Sequence, residues 1–177
     1  MSKRRETLEL GPMPAGRPMH TVDETFVRAP LPLVFEIVRD VERWPALLPH
    51  YRWVRFHEQS SDGGVVEMAA NRPFGQLNWP TWWLSEMQVI SGAAPAVRFR
   101  HIGGITSGME VEWAFAARDG GTFVRLVHSW DGPRWPLIGA LAATAVIGPV
   151  FVHGIAARTL SGLGRIAARD ARQDVGK

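Results

Sequence analysis

Residues Pro136–Ala157 form a run of 22 without one formally charged side chain. A run of that length either spans the apolar core of a bilayer or is sheltered by the rest of its own protein. Gly139, the Gly148-Pro149 pair and Gly154 interrupt it. Proline cannot donate to the preceding helical turn and glycine weakens a helix, so the run divides into two shorter pieces. The spacing predicts a lid-like segment over Leu137–Ile147 and a long helix from about Gly148. Along that helix Phe151, Ile155, Leu160, Leu163 and Ile166 fall on one side, and Arg158, Arg165, Arg169 and Arg172 mark the wet side.

The upstream chain must supply the shelter, and it reads as strands. His20–Arg28 is rich in β-branched residues, and Ala29-Pro30-Leu31-Pro32 turns the chain into a helix. Val34, Ile37, Val38 and Val41 have the i, i+3, i+4, i+7 spacing of one helical face. Pro45 ends that helix or begins a second short one. Further strands are predicted over Tyr51–Glu58, Val65–Asn71, Leu77–Ile90, Ala96–Ile102, Gly108–Ala117 and Thr122–Trp130. The turn Ser60–Gly64, the loop Arg72–Gly75, the link Gly103–Gly108 and the hairpin signal Asp119-Gly-Gly121 separate them. Pro80 inside the third of these strands implies a bulge or an edge position. The order is β, two short α, six β, then a long α: an α+β layout in which a curved antiparallel sheet of about seven strands wraps a terminal helix.

Composition narrows the function. A chain of 177 residues with 46% hydrophobic and 21% charged residues suits one globular domain. Residues 20–172 are expected to form it, with 1–19 as a mobile tail and 173–177 as a short C-terminal tail. The charged start Met1–Glu6 has no apolar stretch after it and does not read as a signal peptide. Without cysteine there is neither a disulfide framework nor a thiolate metal site, and a net charge of +3 is too small and dispersed to indicate nucleic acid. The expected location is cytoplasmic, with membrane-peripheral association through 136–157 as a variant. Oligomeric state has no signature.

Several motifs together resemble a known family. Ala29-Pro30 before the helix, Asp40-Val-Glu-Arg-Trp-Pro45, Tyr51, Trp113-Ala-Phe beside the Asp119-Gly-Gly121 hairpin, and Arg125-Leu-Val-His-Ser-Trp-Asp131 look like the START-like helix-grip (SRPBCC) superfamily. The closest branches are the polyketide cyclase/dehydrase and coenzyme Q-binding ones, and the resemblance covers about residues 20–172. It implies an apolar cavity between sheet and C-terminal helix, holding a polyketide, quinone, sterol or lipid. In the aromatase/cyclase branch a cavity Tyr and Arg steer enolisation and ring closure. Tyr51 stands where that Tyr would be, whereas an ungapped alignment puts Met87 where the Arg would be.

Period-2 alternation selects the side chains able to line such a cavity. Met109, Val111, Trp113 and Phe115 share one strand face, opposite Glu110 and Glu112. Trp83, Ser85 and Met87 form a comparable set, Leu126 and Trp130 flank His128 on another, and Phe151 and Ile155 come from the helix. Each reads equally as cavity wall or as plain core. Trp79 and Trp82 belong at the mouth or the surface. Tyr51 and His128 are the catalytic candidates: a phenol that can donate to a ligand carbonyl, and an imidazole able to move a proton near neutrality. His101 is the weaker candidate. The six histidines, at 20, 50, 57, 101, 128 and 153, have no metal-presetting pair, and no dinucleotide, phosphate-loop or nucleophile-elbow motif is present, so neither metal nor cofactor is expected.

Three functions remain open: a carrier or chaperone for an apolar small molecule, a polyketide cyclase/dehydratase-like enzyme using Tyr51 and His128, and a membrane-associated lipid-binding protein.

Overall fold

The computed structural model describes residues 8–74, 77–133 and 153–175. The lid-like segment, the helix start near Gly148, and Phe151 lie outside the described residues. Alternation between residues 19 and 130 produces seven strands: β1 (Met19–Val27), β2 (Tyr51–Ser60), β3 (Gly63–Phe74), β4 (Leu77–Ile90), β5 (Ala96–Gly104), β6 (Glu110–Arg118) and β7 (Gly121–Trp130). They form one antiparallel sheet in the order β1-β7-β6-β5-β4-β3-β2. Six strands follow one another as a meander, and β1 closes against the last of them, with Met19 opposite Trp130 and Val27 opposite Thr122.

One strand boundary differs from expectation, and one local feature is as expected. β3 runs on through Phe74, where a loop was expected from Arg72, because β4 keeps pairing with it out to Leu77. β5 joins β4 only from Trp83, so Pro80 sits in an overhang, an edge position suited to a residue with no amide proton.

Helix α1 (Leu31–Arg39) starts behind Pro30 and buries Val34, Phe35, Ile37 and Val38. A single tight turn (Val41–Arg43) follows, then α2 (Trp44–Leu47), with Pro45 in its first turn, where its missing N–H costs nothing. The Trp44 indole donates back to the Ile37 carbonyl at 3.3 Å and fastens the two short helices together. Helix α3 (His153–Val175) buries Ala156, Thr159, Leu160, Leu163 and Ala167 against the concave face. Gly162 lets it approach Leu48, since a Cβ there would meet the Leu48 side chain.

The two ends of the concave face are filled differently. At one end α1 fills it, with Phe35 edge-to-face on Phe115 at 5.5 Å. At the other, the start of β2 and β6 and the ends of β5 and β7 face the first turns of α3.

The convex face carries charge. Arg98 is buried between Glu110 (3.2 Å) and Glu112 (3.4 Å), and Arg100 contacts Glu110 at 2.7 Å. Residues 8–18, expected to be part of a mobile tail, lie across this face. Arg100 donates to the Leu10 carbonyl at 2.7 Å, Leu10 N–H to Gln88 Oε1 at 3.1 Å, and Ser129 Oγ to the Pro14 carbonyl at 3.1 Å. Composition alone concealed this, because the anchors are backbone groups of a Gly/Pro-rich segment.

A candidate ligand cavity between sheet and helix

The cavity at the open end measures about 70 Å³. Its walls are aromatic and apolar: Trp44, Trp83, Trp113, Phe99, Met68, Val111 and Leu126 from α2 and the sheet, Met109 from the link before β6, and Ile155 and Ala156 from α3. The rings interlock edge to face, Trp44 against Tyr51 at 5.2 Å and against Trp113 at 5.9 Å, and Tyr51 against Trp83 at 6.3 Å. Such pairs hold ring orientation beyond what area burial does.

Five polar side chains interrupt this wall: Tyr51, His101, Thr106, His128 and Thr159. Tyr51 opens β2. Its N–H donates to the Leu48 carbonyl at 3.0 Å, and the ladder is irregular between Tyr51 and Trp53. Irregularities of this kind bend a strand and re-aim its side chains. The phenol is buried, and its oxygen accepts from Thr159 Oγ1 at 3.4 Å.

His101 shares the concave face with Val97 and Phe99 and lies flat on Trp83, centroids 5.9 Å apart and planes at 17°. Thr106 Oγ1 holds its Nδ1 at 2.7 Å. Ile102 is the extra residue of β5 at this point, since Ser85 faces His101 and Leu84 faces Gly103. Gly104, at φ +86°, makes the approach possible: a Cβ there would lie 2.5 Å from the Trp82 carbonyl oxygen. His128 faces Val111 of β6 and Thr21 of β1 across the ladder and is buried.

Of the residues expected at a cavity, Tyr51, Trp83, Met109, Val111, Trp113, Leu126, His128 and Ile155 line this one. Ser85, Met87, Phe115 and Trp130 do not, although all four are buried. Alternation specifies a face and not a position along it. Phe115 lies under α1, Ser85 and Met87 lie further along β4, and Trp130 instead donates to the Ser107 carbonyl at 2.9 Å. Trp82 is on the surface, as expected, at 51% exposure.

His101 was readable from its alternation with Val97 and Phe99, and Thr159 from its place on the apolar side of α3. Thr106 had no sequence signal, because a loop brings it in. Among the described residues no cluster of His, Asp and Glu could hold a metal ion.

His50 lies just outside, in a separate groove between α2 and α3 shared with Arg158, Arg165 and Arg169. Burial, then the positive charge of Arg158, lowers its pKa below the ordinary 6.5.

Comparisons with known proteins agree with this architecture. The family model described as polyketide cyclase / dehydrase and lipid transport matches residues 27–149. A putative polyketide cyclase of Streptomyces halstedii is 28% identical over 109 residues, 61% of this chain and 97% of that protein. Among solved structures, a Thermus thermophilus protein superposes with a TM-score of 0.70 at 18% identity, covering 86% of this chain and 99% of the other. The Zhui aromatase/cyclase of a Streptomyces species gives 0.63 at 18%, covering 88% and 94%. A START superfamily protein of Mycobacterium smegmatis gives 0.59 at 15%, covering 88% and 98%. At these identities the structural likeness establishes the fold.

Proposed function

The chain belongs to the polyketide cyclase/dehydrase and lipid transport family, and from that premise we propose that it binds a hydrophobic, carbonyl-bearing small molecule of the polyketide type in the cavity and promotes its enolisation and ring closure. The observation that carries this reading is the confinement of Tyr51, His101 and His128 to one small aromatic cavity. Apolar walls suffice to carry a lipid; three proton-bearing groups converging on the same space suit carbonyl chemistry. In this reading Tyr51 donates to a ligand carbonyl oxygen as an enolate develops there, and His128 takes the proton from the neighbouring carbon. His101, held by Thr106 and Trp83, orients the chain.

Ligand sites usually enclose about 300–1,000 Å³, so the cavity of about 70 Å³ must widen to admit a polyketide. Met68 and Met109, with their adaptable thioethers, are the walls best suited to yield. Organic extraction of the purified protein followed by mass spectrometry tests the reading. A polyketide or related polycarbonyl is the expected find, whereas a phospholipid alone would favour the carrier function.

Peripheral contact with a membrane through Pro136–Ala157 is a second reading, supported by the exposed Trp82 (51%), Ile102 (43%) and Ile105 (51%) at the cavity end of β4 and β5. No helix among the described residues is long and apolar enough to cross a membrane. Co-sedimentation with anionic vesicles, weakened in Trp82→Ser and Ile105→Ser, is the corresponding test.

A further inference from the structure

Thr159 is 1% exposed on the apolar side of α3, a position where a hydroxyl is costly unless it is hydrogen-bonded. It has two partners. His50 Nε2 lies 3.0 Å from its Oγ1, and the Tyr51 hydroxyl lies 3.4 Å away. Thr159 and Tyr51 line the cavity, while His50 lines the groove outside. The three side chains thus cross the seam between α2 and α3 as a continuous hydrogen-bonded path from the groove to the cavity.

We infer that His50, acting through Thr159, is the proton-exchange partner of Tyr51. This inference rests on the reading of Tyr51 as the donor to the ligand. As Tyr51 gives its proton to the enolate oxygen, the Thr159 hydroxyl proton passes to the phenolate oxygen. The His50 Nε2 proton passes to Thr159, and Nδ1 takes a proton from water in the groove, the hydroxide so formed passing into bulk solvent. The imidazole stays neutral and exchanges tautomers, so the net change is one proton moved from groove water to the ligand. The lowered pKa of His50 fits this role, because a permanently charged imidazolium could not accept at Nδ1. The titratable groups around it are Arg158, Arg165 and Arg169 on α3 and Tyr51 on β2.

Tyr51 is the single tyrosine of the chain, so a tyrosine isotope-labelled at Cζ gives one assignable resonance with no ligand needed. Its shift is expected to show an inflection at a pH below 6.5, the ionisation of His50 transmitted through Thr159. The inflection should vanish in His50→Gln and in Thr159→Val and survive in Thr159→Ser, which keeps the hydroxyl. Persistence in Thr159→Val overturns the relay, because the two rings, 4.8 Å apart, would then be communicating directly. So does an absent inflection in the parent protein. In turnover of a poly-β-ketone, His50→Gln and Thr159→Val should lower kcat about tenfold with KM unchanged, less than the ~100-fold or more commanded by a directly acting acid. Unchanged kcat in both, with Tyr51→Phe inactive, overturns the inference and spares the proposed function; unchanged turnover in Tyr51→Phe itself overturns both.

Discussion

Replacing Tyr51 by Phe separates the chemistry of the cavity from the stability of the fold. The ring is buried and braced edge-to-face by Trp44 and Trp83, and a phenyl ring keeps that bracing. The substitution removes the long 3.4 Å hydrogen bond from Thr159, whose hydroxyl still reaches His50 at 3.0 Å and is not stranded. The cost to folding is therefore about 0.5–1 kcal/mol, a fall in Tm of about 1–4 °C. Loss of a donor aimed at a developing oxyanion is far larger, about 10²–10³ in kcat, or about 2.7–4 kcal/mol. Turnover of a poly-β-ketone followed by chromatography of the cyclised product, beside a thermal melt of the same preparation, measures both. A variant that melts within a few degrees of the parent and keeps kcat within about threefold would refute the assignment of Tyr51 as the oxyanion donor.

Other expectations concern the groups around it. Gly104→Ala combines a φ of +86° with a clash against the Trp82 carbonyl, so it should cost roughly 1–3 kcal/mol in urea unfolding and weaken ligand binding by displacing Trp83 and His101. Arg98→Met takes from buried Glu110 the guanidinium 3.2 Å away and leaves it paired with Arg100; it should destabilise by about 1.5–3 kcal/mol, read from the urea midpoint. His50 has a folded pKa below its unfolded 6.5, so the unfolded chain binds the proton first as pH falls. Its contribution to stability is complete above 6.5 and is lost on descending from there through the folded value. Urea midpoints taken across that range should fall less steeply in His50→Gln. Arg158→Gln should raise the His50 pKa, moving the Tyr51 inflection to higher pH.

The strands and the inward faces were legible because period-2 alternation reports which side of a sheet is buried, and Met109, Val111 and Trp113 show it without interruption. Position along that face was not legible. Phe115 belongs to the same alternating set as Trp113, yet α1 fills the space beneath it, and only the packing of Phe35 reveals that. Local irregularities were equally hidden. The extra residue Ile102 interrupts β5 just beyond His101 and leaves its own side chain exposed, and no pattern of residue types signals it. Thr159 is readable as a residue of the apolar side of α3, but its pairing with His50, 109 residues away in sequence, is not. Buried hydrogen bonds between distant segments have no sequence period, and the polar half of the site is built from them.

Met87 bears on what kind of chemistry the cavity supports. It stands where the family resemblance would place an arginine, but it is 1% exposed and outside the cavity lining. A guanidinium there would be buried among apolar groups, at a cost that a paired carboxylate would have to offset. Among the described lining residues there is no lysine or arginine, so an enolate formed in this cavity has hydrogen-bond donors and no fixed cation beside it. In a low-dielectric pocket such donors are strong only while they are held in place. The observed bracing supplies that condition: Tyr51 between two indoles and the Thr159 hydroxyl, His101 between Trp83 and Thr106. A site of this kind stabilises negative charge by moving a proton toward it rather than by opposing it with a permanent positive charge, which makes a route for replacing that proton a functional requirement. The His50–Thr159 path meets the requirement without bringing a charged group into the cavity.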